Sequence, residues 1–375
     1  MSKMLWSVAG VLVLVVTCAA TAQTAKTAGQ KEPVFDPNAP YTVAAAQTGK
    51  AAITSIAVLK AKAEKGDAAA EYEFGKAEYE LGTLHENSKP PHLAEAVIEF
   101  ANAAYWFNKA AHQGNAAAED ALGDGYQYGN GFKQDNARAV FWYGKAAAQG
   151  NANAEYNLGL LYSGSPGVSK DNALAAKWYL KAAEQGNAEA QCGVGLMYQD
   201  GVGVPQNYSK AAFWVKKAAE QGVAFCEQNL GAFFYSGHGV PQDYAQAAVW
   251  YRKAADQGFA GAQFMMGVLC NDGDGVPQDY SQAAQWYRES ADRGFAPAQL
   301  NLGTLYAKGQ GVPQDYAEAY FWFDLAAAGK LDSADAAIAA RNRNQAASNL
   351  PPAELTREQE RARKWFKHHP STPAQ

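Results

Sequence analysis

The stretch from Leu302 to Ala319 reads LGTLYAKGQGVPQDYAEA, and close copies of it recur through the chain. Its first glycine and a tryptophan further on each return every 36 residues. A fixed period of this length is typical of stacked supersecondary units rather than of one globular core. The glycine series is Gly123, Gly159, Gly195, Gly231, Gly267 and Gly303, and the tryptophan series is Trp106, Trp142, Trp178, Trp214, Trp250, Trp286 and Trp322.

Each copy predicts two antiparallel helices, here called helix A and helix B. Leu302 and Leu305 lie on one apolar stripe of helix A. The glycines at 309 and 311, followed by Pro313, end that helix. Asp315 is suited to cap the start of helix B, with Glu318 three residues on completing a capping box. The fold class predicted from this pattern is all-α, a solenoid of helix-turn-helix repeats.

The repeated glycine and tryptophan are both predicted to serve the core. A glycine inside a helix costs about 1 kcal/mol relative to alanine, so its recurrence implies close approach of another helix. Aromatic side chains fixed at one repeat position are usually buried, and we interpret the seven periodic tryptophans in this way.

Composition and motifs exclude several functions. The net charge of −5 and pI near 5.8 leave no basic footprint for nucleic acid. We find no catalytic motif, no phosphate-binding loop and no ligand spacing among the histidines, so no cofactor or metal is predicted. The run from Asn271 to Gly275 resembles a calcium loop but lacks the later ligands, and we interpret it as an inter-helix turn.

The chain begins with a predicted secretory signal peptide, residues 1–22. Lys3 is followed by an apolar run from Leu5 to Val16 and an A-x-A site at 20–22. Periplasmic or secreted localisation is therefore expected, with no membrane span after removal of the signal. Lipidation at Cys18 is the less favoured alternative. Residues 23–41 are predicted to be a disordered linker.

Three cysteines remain beyond the signal: Cys192, Cys226 and Cys270. They occupy different positions within the repeat and are odd in number, which argues against a disulfide framework. We expect them to be small packing residues.

The repeats are predicted to fill residues 42–330. An N-terminal capping half-unit precedes a unit with extra residues near 82–92, and six regular units of 36 residues follow. Residues 331–375 are predicted to form capping helices and a tail, with a helix around Thr356 to Lys367 that carries Trp365. A basic tail that binds an acidic partner is the minority interpretation of this last segment.

The residues Ala298 to Tyr306, followed by Gly309 to Tyr316, resemble the Sel-one-like repeat family, a relative of the tetratricopeptide repeats. The resemblance covers roughly Leu59 to Lys330. It implies a right-handed α/α superhelix and a role as an exported adaptor or scaffold, in some members for assembly of cell-envelope complexes. Asp124 departs from the pattern because an apolar residue is usual there.

The positions that vary between copies are the best functional clue. They lie three residues before, one after and four after the helix A glycine, on one face of the helix. By resemblance to tetratricopeptide arrays, this face would line a concave groove that binds an extended peptide or helix of a protein partner. An equally weighted alternative is that these positions vary only because they are exposed to solvent and not under selection. The candidate partner-binding residues are Asp120, Asp124, Gln127, Tyr156, Leu160, Ser163, Leu196, Gln199, Gln228, Tyr235, Phe264, Asn271, Leu300 and Thr304.

The predicted function is that of an exported, non-enzymatic scaffold for protein–protein interaction. The main alternative is a factor that binds glycan or peptidoglycan through exposed aromatic side chains. A hydrolase is the least favoured hypothesis because no motif supports it.

Overall fold

A computed structural model describes residues 56–88 and 91–369, and the regular elements in those ranges are all helices. The predicted signal peptide, the linker and the start of the capping half-unit lie outside the described residues. The chain divides into two compact units, Met1–Trp178 and Tyr179–Gln375, and the boundary falls inside one helix. The expected all-α repeat architecture is confirmed.

The helices follow one another in alternating A and B roles, and from α2 to α6 and from α8 to α16 each helix packs against the next. A described helical segment at 56–64, α1, precedes the repeats. The others are α2 (Ala68–Asn87), α3 (Leu93–His112), α4 (Ala116–Tyr128), α5 (Asn136–Ala148), α6 (Ala152–Tyr162), α7 (Asn172–Glu184), α8 (Ala188–Asp200), α9 (Tyr208–Glu220), α10 (Ala224–Ser236), α11 (Tyr244–Asp256), α12 (Ala260–Asp272), α13 (Tyr280–Asp292), α14 (Ala296–Lys308), α15 (Tyr316–Ala328), α16 (Ser333–Ala347) and α17 (Pro352–His368).

The helix ends follow the predicted chemistry, with one exception. Gly309 ends α14 in the left-handed conformation, and Asp315 caps α15 by accepting from the backbone N–H groups of Ala317 and Glu318. The capping box is wrong, because the Glu318 carboxylate does not turn back to the cap. It accepts instead from the Trp322 indole N–H at 3.1 Å and pairs with Arg361 at 2.6 Å.

The helix A glycines mark close helix contacts, as predicted. A Cβ atom on Gly267 would lie 2.5 Å from the Tyr287 ring, and one on Gly303 would lie 2.8 Å from the Phe323 ring. The ring belongs to the residue directly after each periodic tryptophan. This second series has the same period of 36 and is buried throughout: Phe107, Tyr143, Tyr179, Val215, Tyr251, Tyr287 and Phe323.

The periodic tryptophans are less buried than predicted. Trp322 and Trp250 are 2% and 8% exposed, whereas Trp106, Trp142, Trp178, Trp214 and Trp286 are only half-buried. The helix B position that packs closely against the helix A glycine is thus the one after the tryptophan. The sequence carried this signal, since the second series repeats as regularly as the first.

The extra residues near 82–92 lengthen two helices rather than forming one long loop. Both α2 and α3 have 20 residues, whereas the helices of the regular repeats α4 and α5 have 13. Gly82 packs against the Phe100 ring in the added turns.

A disulfide joins Cys192 on α8 to Cys226 on α10, with Cα atoms 6.0 Å apart. The expectation that all three cysteines are unbridged packing residues is therefore wrong for this pair. The two cysteines lie on the A helices of neighbouring repeats and differ by two residues in their position within the repeat. Cys270 is a buried free thiol, as expected.

The C-terminal segment covers the last repeat. Helices α16 and α17 both pack against α15. The Arg361 guanidinium lies 3.8 Å from the centre of the Phe321 ring, and Trp365 packs against the core cluster that contains Phe321 and Trp322. The prediction of a helix carrying Trp365 agrees with α17, which begins at Pro352 rather than near Thr356.

Candidate functional site

The predicted partner-binding residues lie on the A helices α4, α6, α8, α10, α12 and α14, except Ser163, which is the cap residue at the end of α6. Most of them are half-buried, which means that part of each side chain reaches the surface. This half-buried set comprises Asp124, Tyr156, Leu160, Ser163, Leu196, Gln199, Gln228, Tyr235, Phe264, Asn271 and Thr304.

Three of the candidates are buried instead. Asp120, Gln127 and Leu300 are 5%, 7% and 9% exposed. Leu300 belongs to the core cluster that α15 and α16 complete, so the C-terminal cap covers it. These three positions vary between repeats and yet are not exposed. They belong to the first and last regular repeats, whose neighbours differ from those of the middle repeats.

Within the unit Tyr179–Gln375, the A helices place their variable side chains beside one another. The Gln228 amide lies against Gly261 on α12. Phe264 packs on the Phe295 ring at 5.4 Å, just before α14. Tyr235 meets the edge of Tyr244 at 5.2 Å, with ring planes 64° apart. The result is a strip of aromatic, aliphatic and amide groups along successive A helices.

In the unit Met1–Trp178, the same positions carry a polar cluster. The Tyr143 hydroxyl lies 2.6 Å from Asp124 Oδ1 and 2.8 Å from Gln127 Oε1. The Asn157 side-chain amide, from α6, donates to Asp124 Oδ1 at 3.4 Å. Asp120, one turn before Asp124 on α4, has a buried Oδ1 with no hydrogen-bond partner.

Burial controls the protonation of this cluster. Desolvation raises the pKa of Asp124 from 3.8 to about 6, against the opposing effect of the Tyr143 hydrogen bond. Desolvation also raises the pKa of Asp120 well above its ordinary value, and the neighbouring charge of Asp124 adds to this. Both carboxyl groups therefore hold their protons more tightly than an exposed aspartate does.

Sequence reasoning missed a second surface, on the B helices. The residue before the periodic tryptophan is exposed in several repeats, as at Phe141 and Phe213, where each ring meets the tryptophan edge at about 80°. A lysine one turn on, such as Lys145, lies 4.8 Å from the Trp142 ring centre and pairs with buried Glu119 at 3.1 Å. The variable identity of this position hid it from a search for fixed residues.

Two further features of the described residues bear on a possible site, namely the placement of metal-binding residue types and the depressions of the surface. Among them, no group of three or more His, Cys, Asp or Glu side chains is placed to hold a metal ion. A shallow, open depression of about 230 Å³ on the unit Tyr179–Gln375 is lined by amide, hydroxyl and ring groups that include Gln199, Asn229 and His238. In the part of the chain that the structure covers, no helix combines the length and apolar character that a membrane crossing requires.

Comparison with solved structures finds proteins similar to this chain. A Sel1 repeat protein from Oxalobacter formigenes is 33% identical, with a TM-score of 0.54, over 63% of this chain and 93% of that one. A protective antigen of uropathogenic Escherichia coli with an SLR fold is 26% identical over 83% of this chain and 94% of its own, with a TM-score of 0.33. No curated protein matches.

The Sel1 repeat family model matches seven consecutive segments. They are residues 75–115, 116–151, 152–187, 188–223, 224–259, 260–295 and 296–330. The matches coincide with the helix pairs α2–α3 to α14–α15 and extend over more than half of the chain. The chain therefore belongs to the Sel1 repeat family.

Proposed function

We propose that this protein is an exported, non-enzymatic scaffold that binds a protein partner along the variable face of its A helices. Sel1 repeat proteins bind protein partners, and the repeats are in general non-catalytic. The observation that carries the proposal is the strip of half-buried aromatic, aliphatic and amide side chains on α10 and α12, including Tyr235, Phe264 and Gln228. Such mixed surfaces suit an extended peptide or an amphipathic helix.

A pull-down from the source cells tests the binding face. Tyr235→Glu and Tyr156→Glu should each lower recovery of the partner by at least about tenfold, because a charge would be desolvated in the interface. Phe213→Glu is the matched control, since Phe213 is 53% exposed on the B helix α9. Unchanged recovery with both tyrosine variants, in proteins whose circular dichroism is native, would refute the proposed face.

Two features support export to the periplasm or beyond. The N-terminal stretch has the pattern of a signal peptide. The Cys192–Cys226 disulfide is a bond that persists in oxidising compartments and is rare in the cytosol. Cell fractionation should place the mature protein outside the cytoplasm with its N-terminus near residue 23. A full-length protein retained in the cytosolic fraction would contradict export.

Glycan binding is the second candidate, and the depression around Gln199, Asn229 and His238 favours it. Amide groups beside stacked rings are suited to sugar hydroxyls, and Tyr208 stacks on His238 with ring centres 5.1 Å apart. Co-sedimentation with purified peptidoglycan tests this candidate. Retention that His238→Ala and Tyr208→Ala abolish would support it, whereas no retention on any glycan tested would end it.

A further inference from the structure

A second depression of the unit Tyr179–Gln375 lies between the C-terminal helix α17 and the B helices α13 and α15. It is open to solvent and has a volume of about 370 Å³. Its most buried lining side chains are Phe321 and Trp322, 3% and 2% exposed. Helix α17 contributes one face, in which Lys364 and Trp365 follow Arg361 by three and four residues. The depression is thus separate from the variable face of the A helices.

Arg361 shows what an arginine on a buried ring binds in this part of the protein. Its guanidinium lies 3.8 Å from the centre of the Phe321 ring. It donates to Glu318 Oε1 at 2.6 Å and to Glu358 Oε2 at 3.1 Å. A planar guanidinium stacks on an aromatic face and directs its N–H groups to carboxylates at the same time.

Arg288 has a similar setting without a carboxylate. Its guanidinium lies 5.7 Å from the centre of the Trp322 ring and donates to the Tyr306 hydroxyl. Among the ion pairs between described residues, none includes Arg288, although its side chain is half-buried. A guanidinium has five N–H donors. One hydroxyl acceptor therefore leaves Arg288 able to bind a carboxylate as Arg361 does.

The charged groups around Arg288 favour an anion. Lys364 lines the same depression, is exposed, and takes part in none of the ion pairs of the described chain. The acid of the lining is Asp292, one turn after Arg288. Desolvation raises the pKa of Asp292 even though the charge of Arg288 opposes this shift. Arg288 and Lys364 are thus two cations without an ion pair beside one acid.

Aromatic surface adjoins these cations. The Trp365 indole stacks on the His369 ring, with ring centres 4.1 Å apart and planes 12° apart. The residues that line the depression in the described chain include no amide or hydroxyl side chain. This composition differs from that of the depression around Gln199 and Asn229, where amide groups suit sugar hydroxyls. It matches a carboxylate that has an apolar side chain next to it.

From the unpaired Arg288 and Lys364 and the adjoining rings, we infer that this depression binds an acidic segment of a protein. An aspartate or glutamate carboxylate of that segment pairs with the two cations, and a neighbouring apolar side chain packs on Trp365. The inference goes beyond the proposed function, because no residue of the A-helix face takes part. It also gives the basic C-terminal helix a defined place in which to bind an acidic partner.

Calorimetric titration of the full chain, after removal of the predicted signal peptide, tests the site. The probe is the acetylated and amidated tetrapeptide Leu-Glu-Asp-Phe, and the uncharged control is Leu-Gln-Asn-Phe. The acidic peptide should bind saturably and at least about tenfold tighter than the control, because the control loses the charge-assisted bonds. In NMR spectra, the indole N–H signals of Trp322 and Trp365 should shift, and the signal of Trp214 should not.

Three substitutions locate the binding. Arg288→Gln and Lys364→Gln should each weaken binding of the acidic peptide by at least about threefold. Asp292→Asn should tighten it, because the acid that repels the ligand is removed. Arg252→Gln is the matched control, since Arg252 holds the equivalent position one repeat earlier, 5.3 Å from the Trp286 ring centre. Lys364 is exposed and without an ion pair, so its variant is expected to fold even if Arg288→Gln does not.

Four results would overturn the inference. They are equal binding of the two peptides, unchanged binding by Lys364→Gln, an equal loss in Arg252→Gln, and tighter binding of trigalacturonate or adenosine monophosphate than of the acidic peptide. Failure of this site is distinguishable from failure of the proposed function. Partner recovery that depends on Tyr235 tests the A-helix face alone and does not involve the depression beside α17.

Discussion

At the scale of single residues, the contact between the helix A glycine and the buried ring of helix B determines how closely each helix pair packs. Gly267→Ala should destabilise the unit Tyr179–Gln375 by about 1–3 kcal/mol, because the new Cβ would lie 2.5 Å from the Tyr287 ring. Urea unfolding followed by circular dichroism measures the change in the free energy of unfolding.

Gly193→Ala is the matched control for that substitution. Gly193 is also inside an A helix of the same unit, but a Cβ there would meet its nearest neighbour, the Tyr179 ring, only at 3.9 Å. Alanine should therefore be neutral or stabilising by up to about 1 kcal/mol. Equal destabilisation by both substitutions would show that ring contact is not the reason for the conserved spacing of glycines within this chain.

The two acids of the first repeat predict a pH dependence with a definite sign. Folding raises the pKa of Asp124 from 3.8 to about 6, so the folded protein binds its proton more tightly than the unfolded chain does. Stability contributed by this group is present at low pH and falls as pH rises between those two values. Asp124→Asn should remove this dependence and raise Tm at neutral pH.

Differential scanning calorimetry at about pH 4 and about pH 7 measures this effect. The Tm difference between the two pH values should shrink in Asp124→Asn. The control variant Glu95→Gln, at an exposed acid on α3, should leave the difference unchanged. A variant that loses Tm at neutral pH would show instead that the Asp124 carboxylate stabilises the repeat through its bonds to Tyr143 and Asn157.

The structural roles of some residues could be predicted from the sequence, and those of others could not. The cap at Asp315 and the turn at Gly309 depend on local backbone chemistry, which a single copy of the repeat displays. The burial of Asp120 depends on the helices packed against α4, and one of these, α3, belongs to the lengthened unit that departs from the repeat. The packing of Tyr287 against the helix A glycine was not predicted, because only the neighbouring tryptophan series was interpreted as core. Both series have the same period.

At the scale of helices, the Cys192–Cys226 disulfide joins the A helices of two neighbouring repeats. Cys226→Ser should lower the free energy of unfolding by about 2–4 kcal/mol, because the cross-link limits the freedom of the unfolded chain over a separation of 34 residues. Denaturation with and without a reducing agent measures the effect. The substitution and reduction should give the same loss, and a reducing agent should have no further effect on the variant.

This cross-link could not be assigned from the cysteine pattern alone. Pairing depends on the offset between neighbouring A helices, which no single helix reveals. If a reducing agent does not change the free energy of unfolding of the wild type, Cys192 and Cys226 remain thiols in the folded protein.

Helix α17 stabilises the last repeat by packing against the cluster that contains Phe321 and Trp322. Trp322→Ala should cost about 3–5 kcal/mol, since this side chain is 2% exposed. Hydrogen exchange should accelerate in α14, α15 and α17 and stay unchanged in the unit Met1–Trp178, because each repeat contacts only its neighbours. Trp214→Ala, at the half-buried equivalent position, should cost less. Faster exchange throughout the chain would contradict local loosening.

At the scale of the whole molecule, two kinds of surface recur along the chain. The A helices carry the mixed strip that includes Tyr235 and Phe264, and the B helices carry exposed rings such as Phe213 beside lysines. The family membership and the alternation of helices could be predicted from the period of 36 residues. Which of the two surfaces binds a partner could not be predicted from the sequence. The B-helix rings vary in identity between repeats, so a comparison that looks for residues of fixed identity does not find them.

Site-specific photo-cross-linking in the source cells tests the binding face most directly. A benzophenone amino acid is placed at Tyr235 on the A helix α10 in one protein, and at Phe213 on the B helix α9 in another. Irradiation should give a discrete covalent adduct with one protein from position 235 and none from position 213. An adduct from position 213 alone, or from neither position, would contradict partner binding by the A-helix face.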